Sequence, residues 1–236
     1  MKVASINVNG IRAAARKGMF EWLEKLDADV ICLQELKAQP DQIEGEPFHP
    51  KGYHTFFHSA EKKGYSGVGI YCKQEPDRVQ VGLGKGFEDV DSEGRYLQAD
   101  FGNLSVASLY MPSGSSKEER QAFKINMMTR FETTLTELAD SGRQGIICGD
   151  WNICHKKRDI KNWRGNQKNS GFLPESANGW IGYSATLSRK PKVAVEVLQN
   201  WWMPFASATM KVSNTLGGLT AARRGRITPV GELTIR

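Results

Sequence analysis

The stretch Ile146-Ile147-Cys148-Gly149-Asp150-Trp151-Asn152 constrains this chain more than any other. Three apolar residues read as a short buried strand, a glycine ends it, and Asp150 and Asn152 follow. Side chains two apart on an extended chain share a face, so both oxygen-bearing groups can point into one site. A carboxylate and an amide at the C-terminal end of a strand suit a hard cation or a phosphate ester. The same residues also describe an Asx turn that closes a strand.

Other strand ends repeat this chemistry. Lys2 to Asn7 reads as a strand, with Asn7, Asn9 and Gly10 at its exit. Met19, Phe20, Trp22, Leu23 and Leu26 form a helical stripe. Asp29 to Glu35 is a second buried strand that ends in a carboxylate. Tyr53 to His58 and Ser66 to Lys73 read as strands on either side of a Glu61-Lys62-Lys63-Gly64 turn. Arg95 to Phe101 and Leu104 to Tyr110 flank Gly102-Asn103, a strong hairpin signal, and Tyr110 ends the hairpin. Ser116 and Glu119 have the spacing of a capping box. The helix they open buries Phe123, Met127, Phe131, Leu135 and Leu138 and stops near Gly142. His155 to Pro174 follows as a polar, basic loop. These elements predict one α/β domain with two sheets packed face to face.

Composition narrows the classes. In 236 residues no run approaches the ~20 apolar positions of a membrane span. The start runs directly into a strand-like segment, without the pattern of a secretory signal. Cys32, Cys72, Cys148 and Cys154 show no C-x-x-C spacing, which fits a reducing cytoplasmic setting rather than a disulfide framework or a cysteine zinc site. The net charge of +6 belongs to residues 176–236, which hold eight basic and two acidic residues. Residues 1–175 hold 24 of each, so the overall charge is no evidence for a binding face on the main body.

At the carboxyl ends of strands in α/β sheets, ligands gather. Glu35 and Asp150 offer hard oxygens suited to Mg²⁺, the asparagines can ligate or donate to phosphate oxygens, and Tyr110 offers a hydroxyl to developing charge. Singly, each group also reads as an ordinary turn, loop charge or core residue.

Several motifs occur in order: Ser5-Ile6-Asn7-Val8-Asn9-Gly10-Ile11-Arg12, Leu33-Gln34-Glu35-Leu36-Lys37, Gly64-Tyr65-Ser66-Gly67-Val68-Gly69, Gly94-Arg95-Tyr96, Leu109-Tyr110-Met111-Pro112-Ser113-Gly114, Gly149-Asp150-Trp151-Asn152 and Asn169-Ser170-Gly171-Phe172-Leu173-Pro174-Glu175. This set resembles exodeoxyribonuclease III and the AP endonucleases of the endonuclease/exonuclease/phosphatase superfamily, from residue 1 to about residue 175. The resemblance implies a four-layered α/β sandwich that acts as a monomer. It implies Mg²⁺-dependent hydrolysis of DNA phosphodiesters, with Mn²⁺ as a substitute: incision 5′ of abasic sites and 3′-5′ removal of nucleotides from duplex DNA. By motif, Asn7, Glu35, Asp150 and Asn152 would form the metal site. Asp150 would act as base or water-orienter, and Asn152 and Tyr110 would bind the scissile phosphate. Asn9, Arg95 and Asn169 would lie near the DNA. Lys156, within Lys156-Lys157-Arg158, reads either as a phosphate contact or as a solvated charge run.

The family pattern closes with an aspartate and a Ser-Asp-His, and this chain has no Asp after Asp159 and no His after His155. The tail, 176–236, reads as a frame-shifted translation. Asn200 to Pro204 requires the codons AAY TGG TGG ATG CCN. From the third base these read Leu-Val-Asp-Ala without freedom, as in the family's closing segment. The same offset permits family-like runs at Asn178 to Thr186, Gly217 to Thr220 and Val230 to Ile235. Such a tail predicts an irregular, poorly packed ending that leaves strand edges and apolar surface open. It also keeps open a second reading, a catalytically dead remnant that binds DNA weakly.

Overall fold

The computed structural model describes residues 1–114, 118–154, 157, 162–176 and 178–179, with the backbone of strands 193–197 and 233–234. It contains two five-stranded mixed sheets. The first sheet takes β1 (Lys2–Asn7), β2 (Val30–Gln34), β3 (His54–His58), β4 (Val68–Cys72) and β10 (Leu233–Thr234), in the order β10-β1-β2-β4-β3. The second takes β5 (Arg78–Val81), β6 (Tyr96–Phe101), β7 (Leu104–Tyr110), β8 (Gln144–Asp150) and β9 (Val193–Val197), in that order. Helices accompany them: α1 (Ile11–Ala15), α2 (Met19–Leu26), α3 (Glu88–Asp91) and α4 (Glu118–Asp140), with further helical residues at 174–176 and 178–179.

Three apolar clusters explain the layering. Val3, Val30, Cys32, Val68, Ile70 and Cys72 of the first sheet meet Leu97, Ala99, Phe101, Val106, Ile146 and Cys148 of the second, so the sheets pack face to face. On the first sheet's outer side, Ile11, Met19, Phe20, Leu23 and Leu26 pack against Ile31, Leu33 and Tyr71. On the second sheet's outer side, Met127, Phe131 and Leu135 of α4 pack against Tyr96, Leu109, Ile147 and Trp151. The result is the expected four-layered α/β sandwich. Its strands are apolar on both faces because each sheet is covered twice, which is why β2, β4 and β6 are buried throughout.

The hairpin forms where expected, with Phe101 opposite Leu104 and Gly102 at φ +52° in the turn. Alternation of sequence did not disclose β5 or the one-turn α3, which have few apolar residues to mark them. Phe123 and Leu138 are only partly buried, whereas Lys124 is fully buried, a position no apolar stripe predicts. Ser116, the expected cap residue, lies outside the described residues.

The tail differs from expectation at two places. The backbone of β9 pairs in parallel with β8, and that of β10 pairs antiparallel with β1. The edge of β8 is therefore covered from Gly145 to Gly149, and that of β1 at Lys2 and Val3. Ladder bonds are made by main-chain groups, so an exposed edge accepts extended chain of almost any sequence, and Val193-Ala-Val-Glu-Val197 is rich in β-branched residues. No described helix is long and apolar enough to cross a membrane.

Candidate active site

Register brings the strand ends together. In the first sheet Asn7 lies opposite Gln34, which puts Glu35 one residue beyond β2 and beside Asn7. In the second sheet Tyr110 lies opposite Asp150. The sheets are joined at this end by a single amide: Asn7 Nδ2 donates to Glu35 Oε1 at 2.8 Å and to Asp150 Oδ2 at 2.9 Å. Beneath it, Gln34 Nε2 donates to Ser5 Oγ at 3.2 Å and to Ser108 Oγ at 3.0 Å, a second polar tie between the sheets.

The loops leaving these strands share a backbone feature. Asn9 (φ 44°), Glu35 (φ 56°) and Asn152 (φ 49°) all adopt the left-handed conformation. Non-glycine residues occupy that region at a cost, and such positions concentrate at functional sites. Side-chain bonds hold them there. The Asn9 amide donates to Asn7 Oδ1 at 3.0 Å, and the Asn152 amide donates to Asp150 Oδ1 at 3.0 Å. Both are Asx-type turns. The turn reading and the site reading of Asp150-Trp151-Asn152 are thus one object: the turn is what aims the carboxylate.

Asp150 and Trp151 point to opposite sides. Trp151 is fully buried and packs against Phe131 of α4, with ring centroids 6.0 Å apart. Gly149 passes so close to the Leu109 carbonyl that any side chain would collide with it. Asn152 is held three ways. Its Nδ2 donates to the Met111 carbonyl at 2.8 Å, and its own carbonyl accepts from the buried Lys124 ammonium at 2.6 Å. A Cβ on Gly171 would come within 2.8 Å of that carbonyl.

The two carboxylates differ electrostatically. Asp150 is 4% exposed, and burial pushes its carboxyl up to about 6; nearby Glu35 adds to the rise, while bonds from Asn152 and Asn7 and the Lys124 charge oppose it. Glu35 moves the other way. Burial acts upward on it, but is outweighed by hydrogen bonds from Asn7 and Lys37, the Lys37 charge and a bond from the Tyr110 hydroxyl. Lys37 lies 2.6 Å from Glu35 Oε2 and also donates to Asn9 Oδ1 at 2.5 Å. The Tyr110 phenol is raised well above its ordinary range by burial, then by Glu35 and Asp150, so it stays protonated. Burial lowers Lys124 to about 8.

Asn7, Glu35, Tyr110, Asp150 and Asn152 therefore converge. Asn7 turns its nitrogen to both carboxylates, and Asn152 donates its Nδ2 to the Met111 carbonyl. Arg95 differs from expectation. It is 1% exposed, its guanidinium is bonded to Glu93, Tyr65 and the Tyr110 carbonyl, and it offers no free surface toward DNA. An arginine beside a strand end reads equally as phosphate contact or scaffold; only packing separates the two. Asn9 is exposed at the lip of the site. Asn169 is exposed too, at the start of a 3-10 turn (Ser170–Phe172) tied to the site by Ser170 Oγ to the Ser113 carbonyl at 2.5 Å and by the Cys154 amide to the Gly171 carbonyl at 2.7 Å. Lys156 lies outside the described residues. Sequence reasoning passed over Lys37 and Lys124. Lys37 stood inside a quoted motif, whereas Lys124 carries no local signal because its partner is 28 residues away.

The model of the Endonuclease/Exonuclease/phosphatase family matches residues 4–218, and the chain belongs to that family. The match extends past residue 175, where the resemblance legible by motif ended. Within the family, the exodeoxyribonuclease and AP endonuclease branch is the similar one. The chain is 40% identical to an exodeoxyribonuclease of Bacillus subtilis (strain 168) over 184 residues, 78% of this chain and 71% of that protein. It is 39% identical to the DNA repair nuclease APEX1 of Danio rerio over 184 residues, 76% of this chain but only 58% of that protein. A solved AP endonuclease from Archaeoglobus fulgidus has a similar fold, with a TM-score of 0.69 at 27% identity, covering 78% of this chain and 69% of that one.

Proposed function

We propose that this chain is a DNA repair nuclease that hydrolyses DNA phosphodiesters with Mg²⁺, incising 5′ of abasic sites and trimming 3′ ends of duplex DNA. The observation that carries this reading is the Asn7-bridged pair, one carboxylate held ionised and its neighbour raised to about 6. Pairs of acids driven apart in this way divide the roles of acid, base and ion ligand.

Glu35 and Asp150 supply hard carboxylate oxygens, and Mg²⁺ binds through few of these while keeping much of its water. Glu35 would hold the ion, with Asp150 close by; Mn²⁺ fits the same oxygens. When bound, the ion neutralises charge on the phosphate oxygens. Asp150 accepts the proton of the attacking water, for which a carboxylate near 6 is better matched to neutral pH than an ordinary one. The protonated Tyr110 hydroxyl donates to a nonbridging phosphate oxygen. Asn9 and Asn169, both exposed, would contact the duplex, and Lys156, outside the described residues, is proposed from sequence alone.

The relatives are named for abasic-site endonuclease and exonuclease work, and their names motivate the substrates proposed here. The test is cleavage of a duplex carrying one abasic site, with Mg²⁺ and with EDTA. Metal-dependent scission at that site supports the reading, and no scission with retained salt-sensitive binding supports the second reading, an inactive DNA-binding remnant. The second reading is favoured by one fact: residues 176–236 contain neither Asp nor His. We infer that residues 1–175 are the body of the domain and that 176–236 is its frame-shifted ending. Sequencing the coding DNA around Glu175 decides this, since an intact frame with unrelated codons refutes it.

A further inference from the structure

We propose that Glu93, Arg95 and Arg120 form a positioning cluster that holds and polarises Tyr110. Arg95 uses all three arms of its guanidinium: Nε donates to Glu93 Oε2 at 2.7 Å, Nη1 to the Tyr110 carbonyl at 2.9 Å and Nη2 to the Tyr65 hydroxyl at 2.8 Å. The Tyr110 amide in turn donates to the Arg95 carbonyl at 2.9 Å, so residue 95 brackets the Tyr110 main chain on both sides. The Arg95 guanidinium carbon also stands 4.9 Å from the Tyr110 ring centroid. Arg120, on α4, closes the cluster. It grips Glu93 with Nη1 to Oε1 at 2.8 Å and Nη2 to Oε2 at 2.9 Å, and reaches the Tyr65 hydroxyl at 2.9 Å.

Packing alone does not require these charges. A buried guanidinium is costly unless all its donors are satisfied, and an apolar side chain of similar size would fill the space. What two guanidiniums on one carboxylate supply is direction and a residual positive charge. A cation on the face of a phenol ring draws electron density from it and strengthens the hydroxyl as a donor. That hydroxyl is bonded to Glu35, at the centre of the site. The cluster thus reaches from α4, through Glu93 and Arg95, to the group that meets the phosphate. This inference rests on the nuclease reading for its consequence, though not for its geometry.

The test uses the full chain with Glu93→Gln and, because loss of Glu93 strands a buried arginine, the milder Arg120→Gln as well. Tyrosine labelled at ring carbon ζ provides a readout without turnover, with the Tyr110 signal assigned by its loss in Tyr110→Phe. Both variants are expected to displace that signal while leaving those of Tyr53 and Tyr71, in the outer layer of the other sheet, in place. On abasic-site duplex, kcat is expected to fall about tenfold with KM changed less than about twofold. In the Tyr110→Phe background the further loss should be under about twofold, because the cluster acts through the missing hydroxyl. An unmoved Tyr110 signal overturns the proposal. So does a full loss repeated on top of Tyr110→Phe, or an effect confined to KM, which would make the arginines DNA contacts. If the parent chain cleaves nothing, the nuclease reading fails and the labelled-tyrosine result alone decides this one.

Discussion

Glu35 and Asp150 end strands of different sheets, share one amide donor and are driven in opposite directions. Glu35 sits at the lip, beside Lys37 and under the Tyr110 hydroxyl, and its ionised form is favoured. Asp150 sits at the bottom, where burial favours the protonated form. The difference is one of surroundings, not of acid chemistry. At the exit of β2 Glu35 has Lys37 and the Tyr110 phenol beside it; at the exit of β8 Asp150 is buried, with Asn7, the Asn152 amide and the Lys124 charge as its polar neighbours. The lip favours the ionised carboxylate, and burial at the floor raises the other to about 6, the division on which the proposed roles of ion ligand and base rest.

The strongest test of this division is Asp150→Asn, which removes the base and is expected to lower kcat by about 10²–10⁴-fold with DNA affinity retained. Glu35→Gln should act instead on the ion, raising the Mg²⁺ needed for half-maximal cleavage by about tenfold or more. If both substitutions shift Mg²⁺ dependence equally and neither affects saturating kcat, the two carboxylates are not divided as described.

Stability gives an independent reading of Asp150. Its folded pKa of about 6 lies above the ordinary 3.8. Between those values the folded chain keeps a proton that the unfolded chain has released. The stability this contributes is full below about pH 4 and is lost as pH rises through about 6. Asp150→Asn should therefore stabilise the fold at pH 7 by up to about 3 kcal/mol while removing activity, and the gain should vanish near pH 4 in denaturant titrations. The acid limb of the kcat profile should follow the same group, with activity rising as pH passes about 6. Glu35 has the opposite sign: its depressed carboxyl contributes stability above its ordinary 4.5, and that contribution is lost as pH falls. The smallest effect is expected of Lys37→Gln. A half-exposed ion pair is worth about 0.2–1 kcal/mol, so the melting curve should barely move, with the acid edge of stability shifted slightly upward.

Much of this site is legible in the sequence. Apolar runs bounded by polar groups marked β1, β2, β6, β7 and β8, and each of the residues that now meet at the site closes one of those runs. What the chain order could not show was how each group is used. Asn7 closes a strand as expected, and its Nδ2 links two carboxylates from different sheets, which no local pattern shows. Arg95 looked like a DNA contact and is a buried brace for Tyr110. Lys124, to which no motif draws attention, is fully buried on the Asn152 carbonyl. In each case the deciding partner is distant along the chain, and local pattern carries no record of it. The tail shows the converse: its composition predicted open edges, yet extended backbone from it lies on both sheets, because edge pairing reads main chain rather than side chains.

The sequence by itself determined the layers, the strands that end at the site and the residue types they carry there. Alternation, apolar runs and turn residues act over a few positions and survive in a linear reading. The tertiary structure alone decided protonation, donor direction and which charges are buried. Those depend on contacts among β1, β8 and α4: Asn7 and Asp150, 143 residues apart, and Lys124 and Asn152, 28 apart, each meet in one hydrogen bond.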